Sequence, residues 1–123
     1  MSYLKNKYQQ ALEYYEVVIN ILSITMKKDR KLKADCYSNC AQVVIHLGCY
    51  HQAIEYASEA IHLDSKHIKA LFRRGYAKAM LGLYHESVAD YKQALILDPK
   101  NPVIRSELLH VLQIIQAKID HTI

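Results

Sequence analysis

Glycine, proline and tryptophan are scarce in this chain of 123 residues, which contains three Gly, two Pro and no Trp. Disordered segments and turn-rich β-sandwiches are usually richer in Gly and Pro, so neither class fits. A membrane-spanning apolar run is also missing, because Asn20, Ser23 and Thr25 interrupt the longest candidate, residues 17–26. The first seven residues lack the apolar core of a signal peptide. Strong helix formers dominate, and we expect a single domain with no membrane partner.

Cysteine is present in an odd number, three, which suits a reducing compartment better than a disulfide framework and predicts a cytoplasmic protein. Cys36 and Cys40 lie four residues apart, with His46 and Cys49 after them. Zinc sites pair their ligands across tight turns, whereas this pair falls within a helical pattern and has no matching second pair. We therefore expect buried small hydrophobic residues, with no metal and no cofactor.

The net charge and the motif content argue against two further classes of function. The formal net charge of +4 permits acidic partners but falls short of the clustered basicity of nucleic-acid-binding domains. The three glycines stand singly, so no phosphate-binding loop is present, and no nucleophile has a catalytic motif around it. These observations predict neither an enzyme nor a nucleic-acid-binding protein.

A repeat is the strongest pattern in the chain. When the sequence is shifted by 34 residues, eight identities align in the same part of the unit, and this period is typical of helix–turn–helix repeats. The aligned residues are Leu47, Gly48, Tyr50, His51, Ala60, Leu63, Asp64 and Lys66 with Leu81, Gly82, Tyr84, His85, Ala94, Leu97, Asp98 and Lys100.

Each unit is predicted to contain two helices. Gly48 and Gly82 fit the turn after the first helix, where positive φ is common, and Tyr50 and Tyr84 then begin the second helix. The pair Asn101-Pro102 combines a good N-cap with proline at the first helical position. A final helix is therefore expected from residue 102, with an apolar stripe formed by Ile104, Leu108, Val111, Leu112, Ile115 and Ile119.

These residues resemble the tetratricopeptide repeat (TPR) family. The match is strongest over residues 68–101, where Ser87 departs from the usual Ala, and the second unit departs mildly at Ala41, Ala57 and Ser65. The resemblance implies an all-α solenoid, an α-α superhelix. Its parts are a truncated first repeat (1–33), a second (34–67) and third repeat (68–101), and a capping helix (102–123). The residues that carry the third-unit match are Gly75, Gly82, Tyr84, Tyr91, Ala94 and Pro99.

Residues 7–15 look like the opening of another second helix. Tyr8 precedes Tyr50 by 42 residues, which is one period plus an eight-residue insertion placed near residues 26–33. A lengthened first repeat of this kind resembles the TPR domains of the large immunophilins, which are peptidyl-prolyl isomerases. This register makes Met1 the tenth residue of the first unit, so most of that unit's first helix would be missing.

A carboxylate-binding groove is expected on the first helices. Lys69 and Arg73 lie four residues apart and share one helix face, and Asn39 precedes Arg73 by one period and should stack beside it. A lysine point charge, an arginine fork and a neutral amide together suit carboxylate groups. We expect five further residues near them: Ser38, Gln42, Phe72, Tyr76 and Met80.

The segment 69–75 and Asn39 resemble the two-carboxylate clamp of co-chaperone TPR domains. The resemblance implies a protein-interaction module that binds the acidic C-terminal Glu-Glu-Val-Asp of heat-shock chaperones. The clamp has five residues, and Asn39, Lys69 and Arg73 match three of them. The other two, on the first helix of the first repeat, would precede Met1.

Two other functions remain open. An assembly scaffold without clamp activity would cover Tyr15, Val18, Ile19 and Leu22 with another chain, for example as a homodimer. The chain would alternatively be the regulatory end of an isomerase or phosphatase whose catalytic residues lie outside residues 1–123. For Lys69 and Arg73 themselves, the alternative to a clamp is an ordinary solvated helix face.

Overall fold

The computed structural model describes residues 2–25 and 29–122, and in these two segments it contains six helices and no strand. The predicted all-α class is therefore confirmed. None of the six helices is both long and apolar enough to cross a membrane. Their bounds are α1 Ser2–Thr25, α2 Arg30–His46, α3 Tyr50–Leu63, α4 Ile68–Met80, α5 Tyr84–Leu97 and α6 Pro102–Thr122.

The predicted helix boundaries inside the repeats are confirmed. α3 and α5 begin at Tyr50 and Tyr84, and the preceding turns contain Gly48 at φ +76° and Gly82 at φ +79°. This left-handed conformation is accessible to glycine without the Cβ clash that other residues meet. Before α6, the side chain of Asn101 accepts hydrogen bonds from the backbone N–H groups of residues 103 and 104, as an N-cap does.

Helix packing follows the order of a solenoid. α2 packs with α3 and α4 packs with α5 as antiparallel pairs, because only short turns join them. α3 also packs on α4, and α2 lies beside α4, so the two first helices line the same face. α1 packs on α2, and α6 packs on α5 with a smaller contact to α4.

α4 approaches α5 closely because of Gly75. A Cβ atom at this position would lie 2.8 Å from Cε1 and 2.9 Å from Cδ1 of Tyr91, a fully buried ring. The Ser87 hydroxyl donates a hydrogen bond of 2.7 Å to the Gly75 carbonyl oxygen, also in the interior. The main core extends from this contact through Leu71 and Ala94 to α6.

α1 is longer than the other second helices, with 24 residues against 14 in α3 and in α5. It begins six residues before Tyr8. The insertion predicted at residues 26–33 lies partly outside the described residues, at 26–28. In the described part of this insertion, the Asp29 side chain accepts a hydrogen bond from the backbone N–H of Leu32 and so caps α2. Residues 30–33 form the first turn of α2.

The expectation that Tyr15, Val18, Ile19 and Leu22 lie uncovered is wrong for the last two. Ile19 and Leu22 are 6% and 5% exposed and pack with Cys36 and Cys40 of α2. Tyr15 and Val18 are half-buried against the same cluster. Successive helical residues are about 100° apart, so contact with α2 turns a different set outward. That exposed set is Tyr14, Val17, Ile21 and Ile24.

The apolar stripe predicted for α6 is only partly buried. Ile104 and Val111 are buried, and Leu108 and Ile115 pack against the core beside them. Leu112 and Ile119 were expected in the same stripe but are 40% and 50% exposed. The prediction is wrong at these two positions because, among the described helices, α6 contacts only α5 and α4.

Gly75→Ala should destabilise the domain. The added methyl group would overlap the buried ring of Tyr91, and overpacking of this kind costs about 1–3 kcal/mol, more than the roughly 1 kcal/mol that Ala gains in helix propensity. Chemical denaturation should show the loss. In a Tyr91→Leu background, the same Gly75 substitution should cost less, since the ring is gone. A Gly75→Ala variant as stable as the parent would contradict the close contact.

Candidate binding groove

A groove between α2 and α4 contains a pocket of about 390 Å³. Both helices contribute one face to it because they stack side by side as the first helices of consecutive repeats. Its rim is polar on the α2 side and its wall is aromatic on the α4 side. The lining residues are Gln42, Ile45, His46, Tyr50, Phe72, Arg73 and Tyr76.

Arg73 is held in the groove by Ser38. Its Nη1 atom donates to both the Ser38 carbonyl oxygen and the Ser38 hydroxyl, each at 2.8 Å. Among the described residues, Nε and Nη2 of Arg73 make no hydrogen bond to the protein. Ser38 of α2 therefore positions one edge of the planar guanidinium group, and the other edge remains available to a ligand. Ser38 itself is buried, so it orients the Arg73 guanidinium from the protein interior.

The electrostatic environment of Arg73 favours an anion. Burial lowers the pKa of the Arg73 guanidinium, and the phenol of Tyr15 acts in the opposite direction. Arginine remains protonated in proteins despite such shifts, so a half-buried positive charge faces the groove. The described residues provide no carboxylate that pairs with it, and a bound carboxylate would compensate its lost hydration.

Lys69 and Asn39, the two other residues expected to bind carboxylates, are not among the residues that line this pocket. Lys69, in the first turn of α4, is exposed, and Asn39 follows Ser38 on α2 and is half-buried. Within residues 2–25 and 29–122, neither side chain has a hydrogen bond or an ion pair. Both are thus available to a ligand, although the structure gives no direct contact between either of them and Arg73.

The other expected residues divide between two adjoining pockets. Gln42, Phe72 and Tyr76 line the first pocket, and Gln42 is hydrogen-bonded to His46 Nε2 at 2.8 Å. Met80 instead lines a second pocket of about 420 Å³ between α4 and α6, and Tyr76 belongs to both. The remaining residues of the second pocket are Ala79, Tyr84, Glu107, His110, Val111 and Ile114.

Sequence reasoning missed several of these residues. His46, Ile45 and Tyr50 line the first pocket at the end of α2 and the start of α3, and the ring of Tyr8 stacks on His46 at 4.7 Å. Their position next to the Gly48 turn was a usable signal. Glu107 and His110 had no such signal, because the repeat pattern ends before α6.

Arg74 is directed away from the groove. Its Nε and Nη2 atoms donate to the two carboxylate oxygens of Asp90 at 2.9 and 2.8 Å, and Nη1 donates to Ser58. Lys78 Nζ lies 3.1 Å from the same carboxylate. These contacts neutralise the buried Asp90, so Arg74 has a structural role and Arg73 alone of the two faces the groove.

The cysteines do not assemble a metal site in the described part of the chain, where no group of three potential ligands is found. Cys36 and Cys40 are buried free thiols against α1, and Cys49 is exposed. Burial, with smaller contributions from Glu16 and Cys36, raises the pKa of the Cys40 thiol to about 12. Burial also raises the pKa of Cys36.

Comparison with known proteins agrees with this architecture. Residues 68–101 match the tetratricopeptide repeat family model. The solved first TPR of Spaghetti (RPAP3), bound to the HSP90 peptide SRMEEVD, is 26% identical. It superposes with a TM-score of 0.69 and covers 92% of this chain and 90% of that one. Residues 68–101 are therefore a tetratricopeptide repeat, and the described helices have the solenoid fold of such a domain.

Two relatives are longer proteins. "Translocon at the outer membrane of chloroplasts 64" of Pisum sativum is 36% identical over 100 residues, covering 81% of this chain and 16% of the relative. "Peptidyl-prolyl cis-trans isomerase FKBP4" of Mus musculus is 31% identical over 115 residues, covering 87% of this chain and 25% of the relative. The second match confirms the immunophilin-like resemblance. The chain spans a quarter or less of either relative.

Thiol accessibility provides a direct test of the α1–α2 packing. At pH 8 the native protein should react rapidly with a thiol reagent only at exposed Cys49, because a buried thiol with a raised pKa forms little thiolate. We expect Cys36 and Cys40 to react at least about tenfold more slowly. Unfolding in denaturant should make all three react alike. Equal rates in the native protein would contradict burial of Cys36 and Cys40.

Proposed function

We propose that this chain is a peptide-binding module of the co-chaperone type, which takes an acidic C-terminal segment ending in Glu-Glu-Val-Asp. The observation that carries the proposal is the half-used fork of Arg73. Two hydrogen bonds that Arg73 donates to Ser38 fix one edge, while the other edge faces a groove whose described lining residues include no carboxylate. A site prepared in this way favours a carboxylate supplied by a ligand.

The surrounding residues fit a short acidic peptide. Lys69 would contribute a second positive charge, and Asn39 would donate an amide hydrogen bond to the same or the next carboxylate. Phe72 and Tyr76 form an apolar wall that suits aliphatic side chains between the acidic groups. The pocket that contains Met80 extends this wall towards α6 and would hold residues further from the peptide's C-terminus.

The comparisons support the choice of ligand. The Spaghetti (RPAP3) domain, which matches nearly the whole of this chain, is described in complex with an HSP90 peptide that ends in Glu-Glu-Val-Asp. We propose a heat-shock chaperone as the partner on this basis, together with the cationic groove. Free buried thiols in α2 favour a reducing, cytoplasmic setting for the interaction.

We propose a binding role rather than a catalytic one for residues 1–123. The groove offers the Arg73 guanidinium, the Gln42 amide and aromatic rings, and these lining residues suit carboxylate binding rather than a nucleophile–base arrangement. The relative FKBP4 is named as an isomerase, and this chain aligns with a quarter of it. The chain would then localise a longer protein to a chaperone.

Peptide titration tests the proposal. A labelled Met-Glu-Glu-Val-Asp peptide should bind the chain weakly, because each charge-assisted bond contributes about 1.5–3 kcal/mol and only three of five clamp residues are matched. Arg73→Ala should weaken binding at least about tenfold, since 1.4 kcal/mol corresponds to a factor of ten. Fluorescence anisotropy at low and moderate salt provides the readout.

Matched variants distinguish the contribution of the planar Arg73 guanidinium group from that of its positive charge alone. Arg73→Lys keeps the charge but loses the planar fork, so it should bind more weakly than the parent. Lys92→Ala removes an exposed lysine of α5, away from the groove, and should leave the affinity unchanged. A C-terminally amidated peptide should bind less well than the free acid. If neither amidation nor Arg73→Ala alters binding, the groove is not the site.

A further inference from the structure

The last helix, α6, stands in the position of a further first helix of the solenoid. The sequence identities of the repeat end before α6, but the spacing of the helices does not. α6 begins at Pro102, which is 34 residues after α4 begins at Ile68. One period after Arg73 the chain has Glu107, so the position that is cationic in α4 is anionic in α6.

The second pocket, of about 420 Å³, agrees with this register. Tyr76 lines it from α4, and His110, one period later, lines it from α6. Because Tyr76 also lines the first pocket, the two pockets form one continuous groove. Arg73 lines the first pocket and Glu107 lines the second. The groove therefore has a cation in one part and a carboxylate in the next.

The Glu107 carboxylate has no cation of its own in the described part of the chain. The side chain is half-buried, and within residues 2–25 and 29–122 it makes no hydrogen bond or ion pair. Burial raises the pKa of the fully buried Tyr91 phenol, and the negative charge of Glu107 raises it further, so this carboxylate lies near the core. A cation supplied by a ligand would compensate the hydration that Glu107 has lost.

The other residues of the second pocket suit the stem of a basic side chain. Lysine and arginine lay their methylene groups on apolar surface and keep the charged end in a polar setting. Met80 and the buried Val111 provide that apolar surface. The rings of Tyr76 and Tyr84 also line the pocket, and aromatic faces attract cations.

We propose that the second pocket binds a basic side chain of the bound peptide, three residues before the acidic residue that Arg73 holds. The inference rests on the proposed peptide-binding function and gives it a basis for selectivity. α4 and α6 are in contact, and the axes of packed helices lie roughly 8–10 Å apart. An extended peptide spans about 3.3–3.6 Å per residue, so three residues cover this distance.

The peptide sequence SRMEEVD fits this arrangement. Its arginine precedes its second glutamate by three residues. With that glutamate at Arg73, the arginine would reach Glu107, and the charges of peptide and groove would be complementary along their length. A peptide in the opposite direction would place its arginine towards α2, in the first pocket, whose described lining residues include no carboxylate.

Paired peptides test the selectivity by fluorescence anisotropy. Labelled SRMEEVD should bind roughly fivefold more tightly than SAMEEVD, in which alanine replaces the arginine. Glu107→Gln keeps the shape of the side chain and removes its charge, so the ratio of the two affinities should fall below about twofold. Glu55→Gln, at an exposed carboxylate of α3 outside both pockets, changes the net charge equally and should preserve the ratio.

The subsite and the groove fail in distinguishable ways. If both peptides bind, both lose affinity in Arg73→Ala, and the parent chain does not prefer SRMEEVD, the groove stands and the basic subsite is wrong. A preference that persists in Glu107→Gln would equally overturn the subsite. Binding of neither peptide, or binding that Arg73→Ala does not alter, would overturn the groove and this inference with it.

Disulfide cross-linking tests the direction of the peptide in a Cys49→Ser background. The peptide SCMEEVD has cysteine in place of the arginine and should cross-link to His110→Cys in the second pocket. His46→Cys, at an exposed histidine of the first pocket, is the matched control and should cross-link far more slowly. Circular dichroism should show the same helicity in both variants. Faster cross-linking at His46→Cys would show the opposite direction and overturn the proposal.

Discussion

The close approach of Gly75 to the ring of Tyr91 determines how α4 sits in the domain. Three consecutive residues of α4 then point in three directions about 100° apart. Gly75 faces α5, Arg74 reaches Asp90 of α5 and Ser58 of α3, and Arg73 faces α2. A bulkier residue at position 75 would push α4 away from α5 and rotate this set. The orientation of the groove cation thus depends on a contact in the core.

The neighbouring residues Arg73 and Arg74 differ in their ion pairing, and this difference distinguishes a structural role from the proposed binding role. Arg74 and Lys78 share the buried carboxylate of Asp90, and their charges are compensated within the domain. Arg73 is half-buried too, but its protein partners are the neutral carbonyl and hydroxyl of Ser38. The first arrangement stabilises the fold, because a buried carboxylate without its cations would be costly. The second leaves a desolvated charge that an external carboxylate would compensate.

Much of the fold could be predicted from the sequence because its signals are local. The 34-residue period, the glycine turns, the starts of α3 and α5 and the Asn101 cap all depend on residues close together in the chain. The proximity of Ser38 to Arg73 was also predictable, since one period separates neighbouring first helices. The burial of Ser38 was not, because it depends on how far α4 leans over α2. The position of Met80 in the pocket beside α6 was not predictable either, because α6 lies outside the repeats and the repeat pattern does not give its path.

The sequence by itself determined the class of the domain and the limits of most helices. The tertiary structure alone decided which faces of the terminal helices are covered. α1 and α6 each have apolar residues around much of their circumference, so periodicity does not distinguish the packed side from the exposed one. Contact with α2 buries Ile19 and leaves Val17 in solvent, and contact with α5 buries Val111 and leaves Leu112 exposed. The choice between faces is made by the position of a neighbouring helix, which no local pattern contains.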